Sequence, residues 1–214
     1  MENPELVQLE RFESSLLSMN HMEAKYILSQ ISNHESPIQS IESMVIPVLE
    51  HIGASWENGD ISLSQVYMSG RICEKLVDQI LPAQDPQRIN QPPMAIVVLD
   101  DYHMLGKRIV YSALRASGFE LYDYNHMDIE TLVSQVKKDK LSILLISVLM
   151  FPSALHIKDL CDRLDEENLD VKIIVGGAPF RFDPTLWQRI GADAMGLSAS
   201  DAIPLVRKFM EEVR

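Results

Sequence analysis

The sequence predicts a protein in two parts: a bundle of four helices, followed by an α/β part in which helices cover both faces of a parallel sheet. Before residue 81, apolar residues recur only at helical spacing. After residue 94, short and almost wholly apolar runs alternate with amphipathic stretches, as in parallel strands with their covering helices. The stretch LPAQDPQRINQPPM at 81–94 separates these patterns, and its prolines and short polar residues predict a linker.

The first two helices are predicted from spacing and capping signals. Apolar residues at helical spacing over 6–16 predict a first helix that ends near Asn20. Asn20 followed by Glu23 resembles a capping box, which predicts a second helix that extends through Ile31.

The third and fourth helices complete the bundle. Ser36 and Pro37 pair a capping residue with one suited to a first turn, so a helix is predicted to begin there. Pro47 is expected to kink or restart this helix, and Gly53 is expected to end it. A fourth helix follows over 62–81, and four amphipathic helices with short connections are typical of a small bundle.

The C-terminal part predicts an open, doubly wound, Rossmann-like (flavodoxin-like) sheet of five parallel strands. The strands are predicted in MAIVVLD, FELYDY, LSILLISVL, VKIIVGG and ADAMGL. The helices are predicted near 106–117, 128–138, 153–168, 184–190 and 200–213. These assignments give a helical bundle at 1–82, a linker at 83–93 and a sheet domain at 94–214.

Composition narrows the class of protein and its partners. A formal net charge of −12 argues against nucleic acid or an anionic membrane as the main partner. No apolar run approaches the roughly 20 residues of a membrane span, and the N-terminus lacks the basic and apolar regions of a secretory signal. Cys73 and Cys161 form no pairing motif, so reduced thiols and a cytoplasmic location are predicted.

Three short motifs follow the carboxyl ends of the predicted strands, where open α/β sheets bind ligands. DDYHMLG places His103 and Gly106 in the loop after the first strand. SVL ends the central strand with Ser147 and Leu149 on the same side. VGGAP ends the next strand with a pair of glycines, which lets the backbone approach a ligand closely.

Each motif also has an ordinary structural interpretation. A histidine in a loop is often only solvated, a buried serine is often satisfied by a backbone carbonyl, and a glycine pair is often a turn. The glycines match neither a dinucleotide fingerprint nor a phosphate-binding loop. The remaining histidines are interpreted as surface or packing residues: His21, His34, His51, His126 and His156.

The chemistry that the first two motifs suggest is metal ligation. A histidine that binds a metal through one ring nitrogen donates its other N–H to an acceptor such as a carboxylate, and Asp101 is suitably close in sequence to His103. The Ser147 hydroxyl could extend this pair to a Ser–Asp–His chain that supplies or withdraws a proton. One histidine is too few ligands for a zinc or iron site built by protein alone, but it suits a macrocycle that supplies the others.

In this order, DYHMLG, SVL and VGGAP resemble the Asp-x-His-x-x-Gly, Ser-x-Leu and Gly-Gly signature of cobalamin-binding domains. The stretch IPVLEHIGASWENGDISLSQVYMSGRI resembles the helical cap that precedes such a domain. The resemblance covers essentially the whole chain. It is to the small corrinoid proteins of anaerobic methyltransferase systems, which are similar to the cobalamin module of methionine synthase.

The resemblance implies a role for each motif residue. His103 would be the lower axial ligand of cobalt in place of the cofactor's own base (base-off/His-on), and it would leave the metal on reduction to cobalt(I). Asp101 and Ser147 would be hydrogen bonded behind it. The slot for the displaced nucleotide tail would be lined by Gly106, Ser147, Leu149, Gly176 and Gly177.

The implied function is that of a methyl carrier. The cofactor would be cobalamin (methylcobalamin or a related corrinoid), and the partners would be a donor and an acceptor methyltransferase. A reductive activator is a further candidate partner. The resemblance requires no catalytic residue from this chain, which would be a carrier subunit rather than a stand-alone enzyme. The sequence leaves the methyl donor open between methanol, a methylamine, an aryl methyl ether or another compound.

Departures from the family pattern and one alternative function remain. Many relatives have a glycine at Asp100 and an acidic residue at Met104, and Met195 and Ser198 replace other expected types. The alternative is a cobalamin-responsive sensor or regulatory protein. The cap lacks the Glu-His pair of some light-sensing relatives, and no helix-turn-helix segment or basic face is present, which weakens that alternative.

Overall fold

The computed structural model describes residues 4–32, 37–81 and 86–213. The chain divides into two compact units, Met1–Ile89 with Ser112–Glu120, and Asn90–Tyr111 with Leu121–Arg214. Within the described ranges, no helix is both long and apolar enough to cross a bilayer.

The first unit is helical and has a packed apolar core. Its elements are α1 (Pro4–Leu17), α2 (His21–Ser32), α3 (Pro37–Ser40), a π-helical segment (Ile41–Val45), α4 (Ile46–Glu57), α5 (Leu63–Ile80) and α6 (Pro86–Ile89). The α1 helix packs against α2, α4 and α5, as expected for a bundle. Fully buried side chains in this core include Phe12, Leu16, Leu28, Ile41, Ile52 and Ile72.

Capping chemistry sets several helix ends. The Glu23 amide donates to Asn20 Oδ1 at 3.2 Å, which confirms the predicted start of α2. At the start of α5, Ser62 and Gln65 form a full capping box. The predicted cap at Ser36 lies outside the described residues.

The predicted end of the third helix at Gly53 is wrong. Helix α4 passes through Gly53 and ends at Glu57, because one glycine inside a well-packed helix costs only about 1 kcal/mol. Pro47 lies in the first turn of α4, after the π-helical segment Ile41–Val45. Because the backbone is helical on both sides of Pro47, the missing N–H of this proline interrupts the helical hydrogen-bond ladder, and the π-helical segment lies directly before that interruption.

Part of the predicted linker is packed into the helical unit. Arg88, in α6, has a fully buried side chain. Its Nη1 atom donates to Asp78 Oδ1 at 2.7 Å, and its Nη2 atom donates to the Arg115 carbonyl at 3.2 Å. Arg115 also donates to Asp78, at 2.8 Å. A buried guanidinium is stable only with such partners, so this segment is held in place.

The second unit confirms the predicted five-stranded parallel sheet. Its strands are β1 (Met94–Leu99), β2 (Tyr122–Met127), β3 (Ile143–Ser147), β4 (Lys172–Gly176) and β5 (Ala194–Gly196), in the order β2-β1-β3-β4-β5. This is the flavodoxin-like order. The remaining helices are α7 (Met104–Ala116), α8 (Ile129–Asp139), α9 (Phe151–Glu166), α10 (Ala178–Phe182), α11 (Leu186–Arg189) and α12 (Ala199–Glu212).

Strand register brings the loops of interest to one edge of the sheet. Val98 pairs with Ser147, and Ser147 pairs with Gly176, so β1, β3 and β4 end at the same level. The chain turns from β1 to β2 on one side and from β3 to β4 on the other. The strand order therefore reverses between β1 and β3, which is where such sheets bind ligands.

Two local predictions in this unit are corrected. The second strand was predicted over FELYDY (119–124), but β2 covers Tyr122–Met127. Phe119 and Leu121 are buried ahead of the strand, whereas β2 is an exposed edge strand and lacks the apolar run that marks β1. The helical turn α10 was not predicted, since only five residues form it directly after Gly177.

Candidate cofactor site

The centre of the candidate site is the Asp101 carboxylate, which is buried and hydrogen bonded at both oxygens. Its Oδ1 atom accepts from the amides of Tyr102 (2.7 Å) and His103 (3.1 Å), and from the His103 ring at Nδ1 (2.5 Å). Its Oδ2 atom accepts from the amides of Leu149 (2.8 Å) and Met150 (3.1 Å). One carboxylate therefore fastens the loop after β1 to the loop after β3.

These bonds decide the protonation state of Asp101. Burial acts to raise the pKa of the carboxyl group, but the His103 ring and the amides of Leu149, His103 and Met150 lower it by more. The pKa therefore lies well below its ordinary value, and the group is a carboxylate. An ionised Asp101 is only an acceptor, so the His103 Nδ1 atom carries the proton.

His103 is thereby prepared to bind a metal through its other nitrogen. With Nδ1 protonated and held by Asp101, the Nε2 atom of the neutral ring has a lone pair available. The side chain of His103 is 59% exposed, whereas that of Asp101 is 2% exposed. The structure thus places the ring of His103 on the Asp101 carboxylate, the pair of side chains that the Asp-x-His spacing predicts to be hydrogen bonded.

Ser147 does not complete the anticipated Ser–Asp–His chain in this structure. Among the hydrogen bonds of the described residues, Asp101 receives none from the Ser147 hydroxyl, because backbone amides occupy its Oδ2 atom. Ser147 instead lies beside Gly106, where a Cβ atom would stand 3.5 Å from the hydroxyl oxygen. A side chain larger than alanine at 106 would press on Ser147.

The glycine pair after β4 is required by close backbone packing. Gly177 has φ of +127°, and a Cβ atom there would lie 1.8 Å from the Val148 carbonyl oxygen. A Cβ atom at Gly176 would lie 3.1 Å from the Gly196 carbonyl oxygen. Gly177 thus lets the loops after β3 and β4 touch, whatever else it contacts.

The residues around His103 fit a macrocyclic cofactor. Within the described part of the chain, no group of three or more His, Cys, Asp or Glu side chains is placed to hold a metal ion, so a metal at His103 needs ligands from elsewhere. Large apolar side chains are exposed in these loops and in the first turns of α7 and α9, which suits the faces of a macrocycle. They are Tyr102 (80% exposed), Leu105, Leu149, Met150 and Phe151.

Several contacts near the site were not predicted. The amides of Leu149 and Met150 are bonded to Asp101 across 48 and 49 residues, and no sequence pattern marks a backbone bond of that length. Lys107 is fully buried and its ammonium group bonds Asp123. Residues seven apart lie on the same face of a helix, so the spacing between Lys107 and the buried Leu114 could have indicated that Lys107 faces the protein interior.

Comparisons with known proteins agree on one family. The B12 binding domain family matches residues 92–207, and a second B12 binding domain family matches residues 8–81. The chain is 33% identical over 188 residues to monomethylamine corrinoid protein 1 of Methanosarcina mazei, covering 82% of this chain and 84% of that protein. It is 30% identical over 182 residues to trimethylamine corrinoid protein 1 of Methanosarcina acetivorans, covering 81% and 83%.

Solved structures show the same fold. A cobalamin-binding protein from Desulfitobacterium hafniense matches with a TM-score of 0.76 and 22% identity, over 94% of this chain and 98% of that chain. The monomethylamine corrinoid protein of Methanosarcina barkeri matches with a TM-score of 0.55 and 27% identity, over 92% and 95%. The chain therefore belongs to the corrinoid proteins with B12 binding domains, and its cofactor is cobalamin.

Proposed function

We propose that this protein carries a methyl group between a donor and an acceptor methyltransferase, with His103 as the lower axial ligand of cobalt. The observation that carries the proposal is the 2.5 Å bond between His103 Nδ1 and the buried Asp101 carboxylate. It leaves the opposite nitrogen of an exposed ring for the metal. A bound corrinoid supplies a cobalt centre that accepts and releases the methyl group.

The residues of the chain provide binding and orientation in this proposal. Asp101 fixes the tautomer of His103 and holds the two loops together. Gly106, Ser147, Leu149, Gly176 and Gly177 would line the slot for the nucleotide tail. The partner enzymes do the chemistry at the methyl group, so this chain is a carrier subunit.

The names of the relatives favour one donor among those left open. The two curated relatives described above are a monomethylamine and a trimethylamine corrinoid protein. We therefore propose a methylamine as the methyl source, and nothing in these names favours the sensor alternative. Both cysteines are unpaired thiols, which supports a reducing, cytoplasmic location.

The first test identifies the nitrogen that binds cobalt. The protein is labelled with ¹⁵N-histidine, loaded with hydroxocobalamin and reduced to cobalt(II), and its EPR spectrum is recorded. Ligation by His103 gives the doublet splitting of one ¹⁵N nucleus, and the splitting is lost in His103→Ala but kept in the control His51→Ala. A ¹⁴N triplet in the labelled wild type would mean that the cofactor's own base is still bound, which refutes the proposal.

A second test addresses the methyl donor. Wild-type protein loaded with cobalamin and reduced chemically to cobalt(I) is mixed with a methylamine-specific donor methyltransferase and either monomethylamine or trimethylamine, and the visible spectrum is followed. Methylation of cobalt with either amine supports the donor class. Methylation with methanol and a methanol-specific enzyme, but with neither amine, contradicts it.

A further inference from the structure

Asp100 has a backbone conformation that is unusual for a residue with a side chain. Its φ angle is +46°, in the left-handed region that glycine adopts freely and that L side chains disfavour. Asp100 therefore carries a carboxylate at a position where the backbone conformation alone favours glycine.

Three hydrogen bonds surround Asp100. Its amide donates to the Met127 carbonyl at 3.1 Å. Its carbonyl accepts from the Ser153 hydroxyl at 3.0 Å, and its Oδ2 atom lies 3.0 Å from His156 Nδ1. Ser153 and His156 are three residues apart on α9 and share one face of that helix, so both can bind Asp100.

The neighbouring aspartate binds the same segment of the chain. Asp101 holds the amides of Leu149 and Met150, which lead directly into α9. Two consecutive aspartates thus fasten the loop that carries His103 to residues 149–156. Movement of His103 away from this segment would break bonds at both positions.

We propose that Asp100 and His156 are positioning residues that hold the 100–103 loop on α9 and keep His103 in place to bind cobalt. The inference rests on the proposed function of His103. The His156 and Asp100 side chains are 51% and 28% exposed, so their attraction in water would by itself be weak. The hydrogen bond from the buried Ser153 hydroxyl strengthens this contact, because it fixes the Asp100 backbone in the orientation that presents its carboxylate to His156.

The experiment uses two variants that remove the bond and one that keeps it. Asp100→Gly suits the left-handed backbone but has no carboxylate, and His156→Ala leaves the backbone of residue 100 unchanged. Asp100→Asn tolerates the same conformation and still offers an oxygen to His156. Lys158→Ala, on the same helix, is the control, because the Lys158 ammonium group donates to Asp162 and not to the 100–103 loop.

Two readouts are measured. In the apo protein, amide hydrogen exchange at Leu149 and Met150 should be about fivefold faster in Asp100→Gly and His156→Ala, the equivalent of one net hydrogen bond. In protein loaded with cobalamin and reduced to cobalt(II), the ratio of His-bound to His-free cobalt from EPR should fall about fivefold in the same variants. Asp100→Asn and Lys158→Ala should match the wild type in both.

Unchanged amide exchange at Leu149 and Met150 in both Asp100→Gly and His156→Ala would show that the Asp100–His156 bond does not hold the 100–103 loop on α9, which overturns the proposal. Faster exchange with an unchanged EPR ratio would show that the pair supports the loop without positioning the ligand, which also overturns the proposal. If wild-type protein does not bind cobalt through His103, the proposed function fails and the positioning role fails with it. The exchange data on the apo protein still decide whether the Asp100–His156 bond holds the 100–103 loop on α9.

Discussion

Replacing Asp101 by asparagine tests the central contact of the site at almost constant volume. The carboxylate accepts five hydrogen bonds, three at Oδ1 and two at Oδ2. Asparagine has one acceptor oxygen and one NH₂ donor. Its NH₂ group must therefore face either the donors now bound to Oδ1 or the two amides now bound to Oδ2. If the NH₂ group faces Leu149 and Met150, two amides lose their acceptor. If it faces His103, the ring must adopt the tautomer with the proton on Nε2, which cannot bind a metal.

The magnitude follows from these lost bonds. Leaving a buried donor unsatisfied costs about 1–3 kcal/mol. Loss of the acceptor for two amides should therefore lower the unfolding free energy of the apo Asp101→Asn variant by about 2–6 kcal/mol in urea denaturation. In the proposed function His103 binds cobalt(II) and leaves cobalt(I), so weaker support of His103 should destabilise cobalt(II) relative to cobalt(I). Loss of one charge-assisted bond, about 1.5–3 kcal/mol, shifts a one-electron midpoint upward by about 60–130 mV.

The assay is a redox titration of the cobalamin-loaded protein, followed by visible absorption. Asp162→Asn is the matched control, because Asp162 is an exposed aspartate of α9 that pairs with Lys158. Its midpoint should equal that of the wild type. A folded Asp101→Asn protein with an unchanged midpoint would refute the role given to Asp101 behind His103.

Three further predictions concern the sheet unit. Gly177→Ala should destabilise the apo protein by about 3 kcal/mol in urea, since its Cβ would overlap a carbonyl oxygen; an unchanged midpoint would contradict the close approach. Asp123→Ala should cost about 3 kcal/mol because it leaves the buried Lys107 ammonium without its acceptor and counter-charge, whereas Lys107→Met should cost less than about 1 kcal/mol; equal losses would contradict this asymmetry. Hydrogen bonds from Tyr124 and Gln135 lower the pKa of Asp139, so that stabilisation is present above the ordinary carboxyl pKa and is lost as pH falls through the lowered one. The stability advantage of wild type over Tyr124→Phe should therefore shrink below about pH 4, and a constant advantage would count against the bond.

Sequence spacing was sufficient for the parts of the fold that local patterns encode. The buried strand β1 and the motif after it were predictable, because apolar runs and the short Asp101–His103 separation are local signals. The edge strand β2 was misplaced, since half-exposed edge strands need no apolar run. The burial of Arg88 was missed for a different reason: its partners lie 10 and 27 residues away, and its flanking prolines suggested a linker.

The candidate site shows the same limit at a finer scale. The anticipated partner of Asp101 was the Ser147 side chain, because hydroxyl groups are visible in a sequence. The observed partners are the amides of Leu149 and Met150, which every residue but proline possesses and which only the packed loop brings within reach. Asp100 is a similar case, since its left-handed backbone follows from tertiary contacts with Ser153 and Met127.

The Asp101 carboxylate links the ring of His103 to the loop after β3, because both donate hydrogen bonds to it. Asp101 offers a fixed negative charge to the ring of His103 and to the amides of Leu149 and Met150. Donors that share one acceptor compete for its negative charge, so each donor that withdraws leaves more of that charge for the remaining donors. A displacement of Leu149 and Met150 would therefore strengthen the bond to His103 Nδ1 and make Nε2 a stronger donor to cobalt. If His103 binds cobalt as proposed, the position of the loop after β3 should therefore affect how strongly Nε2 donates to the metal.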